Sequence, residues 1–137
     1  MRKMALVFLC ALGFGMNAYA ANYKMVTESD NAKYFVDVDT VEQAGRLTKA
    51  WVTINYDTSA RAPGTKFDFI SDQSLFYFDC KRKRFGRTTQ YLWSQPNAAG
   101  KSITTYSGKI QDIRFEPAET GTIGELLLQF VCTQPLN

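Results

Sequence analysis

The sequence predicts an α+β domain, in which an antiparallel sheet of about five or six strands packs against one C-terminal amphipathic helix and is closed by one disulfide bond. Three observations support this fold class. Short apolar stretches are separated by turn residues at intervals that suit β-hairpins. The last apolar stretch repeats every three and four residues, which is typical of a helix. Beyond the first 20 residues the chain keeps an even pair of cysteines, Cys80 and Cys132.

The predicted strands follow one another along the chain. They are residues 23–27, 33–38, 47–56, 74–80, 85–93 and 103–106. The third of these alternates strictly, so one face is predicted to be buried: Ala50, Val52, Ile54 and Tyr56. Residues 58–66 and 94–100 contain clusters of turn-forming residues and are predicted to be loops.

Two aspartates near the end of the second predicted strand admit two interpretations. Asp39, followed three residues later by Glu42, has the spacing of a capping box and predicts one helical turn that ends at Gly45. Asp37 then makes hydrogen bonds in the turn. The alternative is a pair of catalytic carboxylates of the glycosidase kind, projecting to one side. The turn interpretation is favoured because aspartate is a common capping residue.

The predicted helix carries one apolar stripe that needs a partner. The stripe consists of Ile123, Leu126, Leu127, Phe130 and Val131, and a capping box of Thr122 and Glu125 precedes it. On strand 74–80 the side chains of Phe76, Phe78 and Cys80 share one side. A bond from Cys80 to Cys132 would hold the end of the helix against that side of the sheet. A redox pair or a metal site is a weaker alternative for the two cysteines, because redox pairs are usually two residues apart and metal sites need more ligands.

Residues 1–20 have the features of a cleavable secretory signal peptide. They are two basic residues, an apolar run and a small-residue motif: Arg2 and Lys3, residues 4–16, and Ala18-Tyr19-Ala20. The run is too short to cross a membrane, which takes about 20 apolar residues. Cys10 lies inside the run, where it cannot act as a lipoprotein cysteine. We expect a mature chain that begins at Ala21, forms a single domain over 21–137 and contains no transmembrane segment.

Composition excludes several classes of function. Arg2 and Lys3 leave with the signal, so the mature chain has 14 basic and 13 acidic residues, a net charge of +1 that predicts no nucleic-acid partner. The chain has no histidine, which removes the usual general base and the commonest metal ligand. No phosphate-binding, zinc or calcium motif is present. The sequence therefore predicts no enzyme, cofactor or metal site, with an activity based on lysine or carboxylate as the alternative.

Two features are candidates for binding. The first is a dense basic patch that consists of Lys81, Arg82, Lys83, Arg84 and Arg87. The second is the aromatic residues that follow it, of which Tyr91 and Trp93 are candidate binding residues. Such a patch suits a polyanion, whereas the alternative is a solvated hairpin that prevents edge pairing. Phe85, Thr89, Tyr91 and Trp93 are predicted to share one face of their strand. One helix cannot cover both faces of the sheet, so that face is either open to a partner or covered by loops or by a second copy in a homodimer.

Three sequence segments carry a resemblance to a known family. FVDVDTV begins at Phe35, SLFYFDCKRKRF includes Asp79-Cys80 and the basic patch, and PAETGTIGELLLQFVC runs from Pro117 to Cys132. Together with the strand from Trp51 to Asp57, this arrangement resembles the surface-adhesin protein E family of Gram-negative bacteria. The resemblance implies a small antiparallel sheet with a C-terminal helix and a disulfide, and a surface protein that contacts host matrix proteins. This chain lacks the lipobox cysteine, so the resemblance does not extend to lipid anchoring.

The sequence thus predicts an exported, non-enzymatic binding module located in the periplasm or at the cell surface. Its expected partners are host extracellular-matrix proteins or anionic envelope polymers. The first alternative is a structural or assembly partner within the cell envelope. The second is an enzyme whose site the sequence does not reveal.

Overall fold

The computed structural model describes residues 21–136, so the predicted signal peptide lies outside the described residues. The strands are β1 (Tyr23–Glu28), β2 (Ala32–Asp37), β3 (Glu42–Ala44), β4 (Leu47–Arg61), β5 (Asp68–Asp79), β6 (Arg84–Gln95), β7 (Ala99–Ser107) and β8 (Glu116–Pro117). The helix α1 spans Ile123–Cys132, and two 3-10 turns span Val38–Thr40 and Ile110–Asp112. Within the described part, no helix is both long and apolar enough to span a membrane.

All strands belong to one antiparallel sheet in the order β1-β2-β4-β5-β6-β7. The two short strands lie beside this path, β3 on β4 and β8 on β6. The sheet therefore has eight strands, and the predicted number of five or six is wrong. The six predicted strands correspond to the six longer strands, whereas strands of three and two residues are too short to show a period.

The turn after β2 differs from the predicted capping box. Asp37 is the cap: its carboxylate accepts a hydrogen bond from the backbone N–H of Asp39 at 3.3 Å and from that of Asn22 at 3.2 Å. Glu42 begins β3 and does not belong to the turn. The prediction failed because the backbone groups around Glu42 pair with β4, which replaces the hydrogen bonds that a helical turn would supply.

The predicted loop 58–66 is also shorter in the structure. β4 continues to Arg61 after a register shift and pairs with the start of β5. Arg61 and Asp68 face each other across this extension, with Nε 2.9 Å from Oδ1. The hydrogen bond between the two side chains, together with their opposite charges, raises the pKa of Arg61 and lowers the pKa of Asp68. Both changes favour the charged forms.

The core lies between α1 and one face of the sheet. Its most buried members from the sheet are Val36, Ala50, Val52 and Phe78, with Val41 from the segment before β3. The helix contributes Leu127, Leu128 and Val131. The predicted stripe is wrong at Leu126, which is 43% exposed, and it omits Leu128, which is 6% exposed.

Gly124 explains this rotation of the helix. A Cβ built at Gly124 would lie 2.5 Å from Cε1 of Phe85, so the ring occupies the space where a side chain would stand. The helix therefore presents Gly124 to the sheet, together with Leu127, Leu128 and Val131 at three- and four-residue spacings. A pattern based on apolar residues treats a glycine as neutral and could not detect this contact.

Two predictions about the helix are confirmed. Cys80 and Cys132 form a disulfide with their Cα atoms 5.9 Å apart, which holds the end of α1 at the end of β5. Thr122 is the N-cap, and its hydroxyl accepts a hydrogen bond from the Glu125 N–H at 3.3 Å. In a full capping box the Thr122 N–H would donate to the Glu125 side chain. Here it donates to the Glu119 carbonyl instead.

Candidate functional site

The four residues 81–84, which we call the basic turn, join β5 to β6. Lys81, Arg82 and Lys83 are exposed, and Lys83 adopts a φ of 54°. The disulfide at Cys80 holds one end of the turn, and the Ala118 N–H donates to the Lys83 carbonyl at 2.9 Å near the other. The three exposed cations are thus presented on a constrained backbone.

Asp79 organises the base of the basic turn. Its carboxylate accepts a hydrogen bond from the Arg82 N–H at 3.1 Å and from Arg84 Nε at 3.1 Å. Burial of the carboxyl favours its neutral form, but these two donors and the positive charges of both arginines outweigh it and hold the pKa of Asp79 below its usual value. The Arg84 guanidinium also lies 4.5 Å from the centre of the Phe115 ring. Arg84 therefore stabilises the turn, while its three neighbours face solvent.

Arg46 joins this site from a distant part of the sequence. It lies in the hairpin turn between β3 and β4, and the pairing of Thr48 with Phe78 brings that hairpin beside the end of β5. Arg46, Lys81, Arg82 and Phe115 share a cleft of about 770 Å³, which we call the basic cleft. Sequence reasoning missed Arg46, although the antiparallel pairing of strands 47–56 and 74–80 would have placed it at this edge.

Most cations of the basic turn and the basic cleft form no ion pair with the described residues. Within residues 21–136 the ion pairs shorter than 4.0 Å are Lys49–Glu42, Arg61–Asp68 and Arg84–Asp79. Arg46, Lys81, Arg82 and Lys83 belong to none of them. Asp79 also lines the cleft, where it pairs with Arg84, so an anionic group that entered would meet Arg46, Lys81 and Arg82 as the cations without an ion pair among the described residues.

The other predicted site residues lie elsewhere because β6 contains a bulge. Arg87 pairs with Phe76 and Thr89 pairs with Leu75, so Thr88 has no partner on β5 and the alternation reverses. Phe85 and Arg87 consequently face the helix side. There the centroid of the Phe85 ring lies 6.0 Å from that of Phe76 and 6.2 Å from that of Phe78. The prediction that Phe85 shares a face with Thr89, Tyr91 and Trp93 is wrong.

Tyr91 and Trp93 lie on the face of the sheet opposite α1, which we call the open face. The Tyr91 ring stacks on Trp51 with centroids 6.0 Å apart, and Trp93 Nε1 donates to Gln73 Oε1 at 3.0 Å. The residues 81–84, Arg87 and the pair Tyr91 and Trp93 thus occupy three separate places. Thr53, near the centre of the open face, is fully buried, and its hydroxyl has no hydrogen-bond partner among the described residues.

A polar cluster on the helix side holds a buried carboxyl. Asp72 accepts hydrogen bonds from Ser74 Oγ at 2.8 Å and from Gln90 Nε2. Burial raises the pKa of Asp72, against the effect of these donors and of the Arg87 charge. Burial and the nearby Asp72 raise the pKa of Tyr56 to about 12. Among residues 21–136 no group of three or more potential ligands is arranged to hold a metal ion.

Comparison with known proteins gives one family and one fold. A family model for surface-adhesin protein E matches residues 23–133. A structure of Haemophilus influenzae protein E has a TM-score of 0.63 at 13% identity, covering 80% of this chain and 83% of that chain. Protein E from non-typeable Haemophilus influenzae gives 0.61 at 13% identity, covering 85% and 78%. No curated protein sequence matches the chain significantly. At these identities the structural similarity concerns the fold.

Proposed function

The chain belongs to the surface-adhesin protein E family, and from this premise we propose that it is an exported, non-enzymatic binding module whose basic turn contacts a host matrix protein or an anionic polymer of the cell envelope. It acts from the periplasm or the cell surface of a Gram-negative bacterium. One observation carries the proposal: three exposed cations stand on a turn fixed by a disulfide and by Asp79, beside a cleft that also contains Arg46.

The charge distribution supports a local contact. The mature chain has a net charge of +1, so the molecule as a whole attracts an anionic partner only weakly. The four cations Arg46, Lys81, Arg82 and Lys83 are close together and are not neutralised by ion pairs among the described residues. A preformed turn also lowers the entropy lost on binding, because its backbone is already ordered.

The test compares two variants that change the net charge by the same amount. The first carries Lys81→Glu, Arg82→Glu and Lys83→Glu, and it leaves Arg84 in place because Arg84 pairs with Asp79. The control carries Lys24→Glu, Lys66→Glu and Lys101→Glu, three exposed positions on separate elements. Binding to heparin, lipopolysaccharide and matrix proteins is measured at low and physiological salt.

We expect the turn variant to bind about 10- to 100-fold more weakly and the control to bind much as the wild type does. Binding by the wild type should weaken as salt rises, because exposed charges are screened within about 8 Å at physiological ionic strength. Equal binding by both variants, or binding that does not depend on salt, would contradict the proposal. Either result would favour the open face as the binding site.

The open face favours a second candidate function, that of a structural or assembly partner within the envelope. Trp51, Tyr91 and Trp93 are only half-buried there, and aromatic residues are enriched in protein interfaces. Cleavage by protease added to intact cells distinguishes the two functions. An adhesin is accessible from outside the cell, whereas an internal partner is protected until the outer membrane is opened.

A further inference from the structure

A second cleft lies on the helix side of β6, outside the basic cleft. It has a volume of about 730 Å³ and includes the half-buried rings of Phe76 and Phe85. Its exposed residues include Arg87, Arg114 and Glu116. A cleft of this size falls within the range of ligand sites, which is about 300 to 1,000 Å³.

The wall of this cleft is held in place by close backbone contacts. A Cβ built at Gly86 would collide with the Ile113 side chain and would lie 3.0 Å from the Arg114 carbonyl oxygen, so this part of the chain passes directly over Gly86. The pairing of Phe85 with Glu116 continues the contact. Successive side chains then alternate: Arg114 and Glu116 line this cleft, whereas Phe115 lines the basic cleft.

A smaller cleft of about 350 Å³ extends the site toward the start of α1. It shares Phe85 and Glu116 with the larger cleft and adds Glu119 and Thr122. Because the two clefts share Phe85 and Glu116, they adjoin each other, and we call them together the Phe85 groove. Arg87, Arg114 and Asp112 line only the larger cleft, and the two arginines leave this end with a net positive charge. Phe85 and Glu116 line both clefts and so lie between the ends, and Glu119 lines only the smaller cleft at the other end.

The charged side chains of the groove can bind a ligand, although the Arg87 charge also acts on the Asp72 carboxyl. The side chains of Arg87, Arg114, Glu116 and Glu119 form no ion pair shorter than 4.0 Å and no hydrogen bond with other residues of the region 21–136. Opposite charges at the two ends disfavour a polyanion, because its distal part would meet the two glutamates. A chain with an acidic group, an apolar group and a basic group in succession would match all three parts of the groove.

We propose that the Phe85 groove binds an extended peptide segment of a partner protein. An apolar side chain of the segment packs on Phe76 and Phe85, an acidic side chain reaches Arg87 and Arg114, and a basic side chain reaches Glu116 and Glu119. An extended segment can span two adjoining clefts, and it supplies all three kinds of side chain within a few residues. This site is separate from the basic turn, so either can fail without the other.

The test uses synthetic heptapeptides with blocked ends and a central phenylalanine. The first has glutamates on one side of the phenylalanine and lysines on the other, the second has glutamates on both sides, and the third has lysines on both sides. A fourth replaces the phenylalanine of the first by alanine. Binding is followed by NMR, with the backbone amides of Gly86 and Gly124 as reporters within the groove.

We expect the wild type to prefer the first peptide over the second and third by about threefold to tenfold, and to lose most binding of the fourth. The preference should change with the charge of the groove. Arg87→Glu with Arg114→Glu makes both ends acidic and should select the lysine peptide, while Glu116→Lys with Glu119→Lys makes both ends basic and should select the glutamate peptide.

Two controls keep this test decisive. Arg114→Glu alone replaces the double variant if the double variant does not fold. It keeps Arg87, whose charge acts on Asp72, and should shift the peptide preference in the same direction. Lys24→Glu with Lys101→Glu repeats the charge change of the arginine variant at exposed positions outside the groove, and should leave the peptide preference unchanged. The same ranking of peptides in every variant, or reporter shifts no larger than those of amides outside the groove, would overturn the proposal.

Discussion

Removal of the disulfide is the perturbation whose size the structure predicts most directly. The bond joins residues that are 52 positions apart, and it links the end of α1 to the end of β5. Closing a loop of this length lowers the entropy of the unfolded chain by about 14 cal/mol/K, which corresponds to about 4 kcal/mol at 25 °C. A domain of this size has about 5 to 15 kcal/mol of total stability, so the loss is large but leaves a folded state in many conditions.

The assay is urea denaturation of the wild type and of the double variant Cys80→Ala, Cys132→Ala. We expect the free energy of unfolding to fall by about 4 kcal/mol, and the denaturant slope to rise because the unfolded chain becomes less compact. Wild type under reducing conditions is the matched control and should unfold at nearly the same urea concentration as the variant. A difference below about 1 kcal/mol between oxidised wild type and the variant would refute the loop-entropy argument.

The remaining predictions concern single side chains. Leu127→Ala should cost about 2 to 5 kcal/mol in thermal or urea unfolding, whereas Leu126→Ala, on the exposed side of the same turn, should cost less than about 1 kcal/mol. Asp72→Asn should stabilise the protein at neutral pH. Because the pKa of Asp72 is higher in the folded protein than in the unfolded chain, its ionisation lowers stability as the pH rises through the folded-state pKa. The gain should vanish below about pH 4, where the carboxyl is neutral in both the folded and the unfolded protein. Asp79→Asn should do the opposite, because a lowered pKa contributes stability at neutral pH that is lost as pH falls through the folded-state pKa. Stability curves of both variants from pH 2 to pH 8 check the two signs together, and the same sign for both would contradict them. Thr53→Val should raise stability by about 1 to 2 kcal/mol by removing a buried hydroxyl that has no partner among residues 21–136, and equal or lower stability would indicate that the hydroxyl is hydrogen-bonded.

Local patterns in the sequence predicted much of the fold. The alternation in residues 47–56 and 74–80 identified β4 and the second half of β5, because a strand with one buried face requires that period. The apolar spacing after Thr122 identified α1 in the same way. The even number of cysteines beyond residue 20 predicted the disulfide. Each of these signals is contained within a short segment or a simple count, so no knowledge of distant contacts was needed.

The candidate sites depended on contacts that no single segment contains. Arg46 reaches the basic cleft only because β4 pairs with β5, and Glu116 reaches the Phe85 groove only because β8 pairs with β6. The sequence did place Lys81, Arg82 and Lys83 together, since neighbours in a turn remain neighbours in the fold.

The sequence by itself determined the approximate positions of the six longer strands, where the helix begins, which cysteines pair and where positive charge is concentrated. The tertiary structure decided which way those elements face. The bulge at Thr88 reverses the alternation of β6 and separates Phe85 from Tyr91, and the contact of Gly124 with Phe85 sets the rotation of α1. Periodicity specifies that a face exists, but its direction depends on strand register and on packing between residues far apart in the chain, where one unpaired residue or one missing side chain is enough to change it.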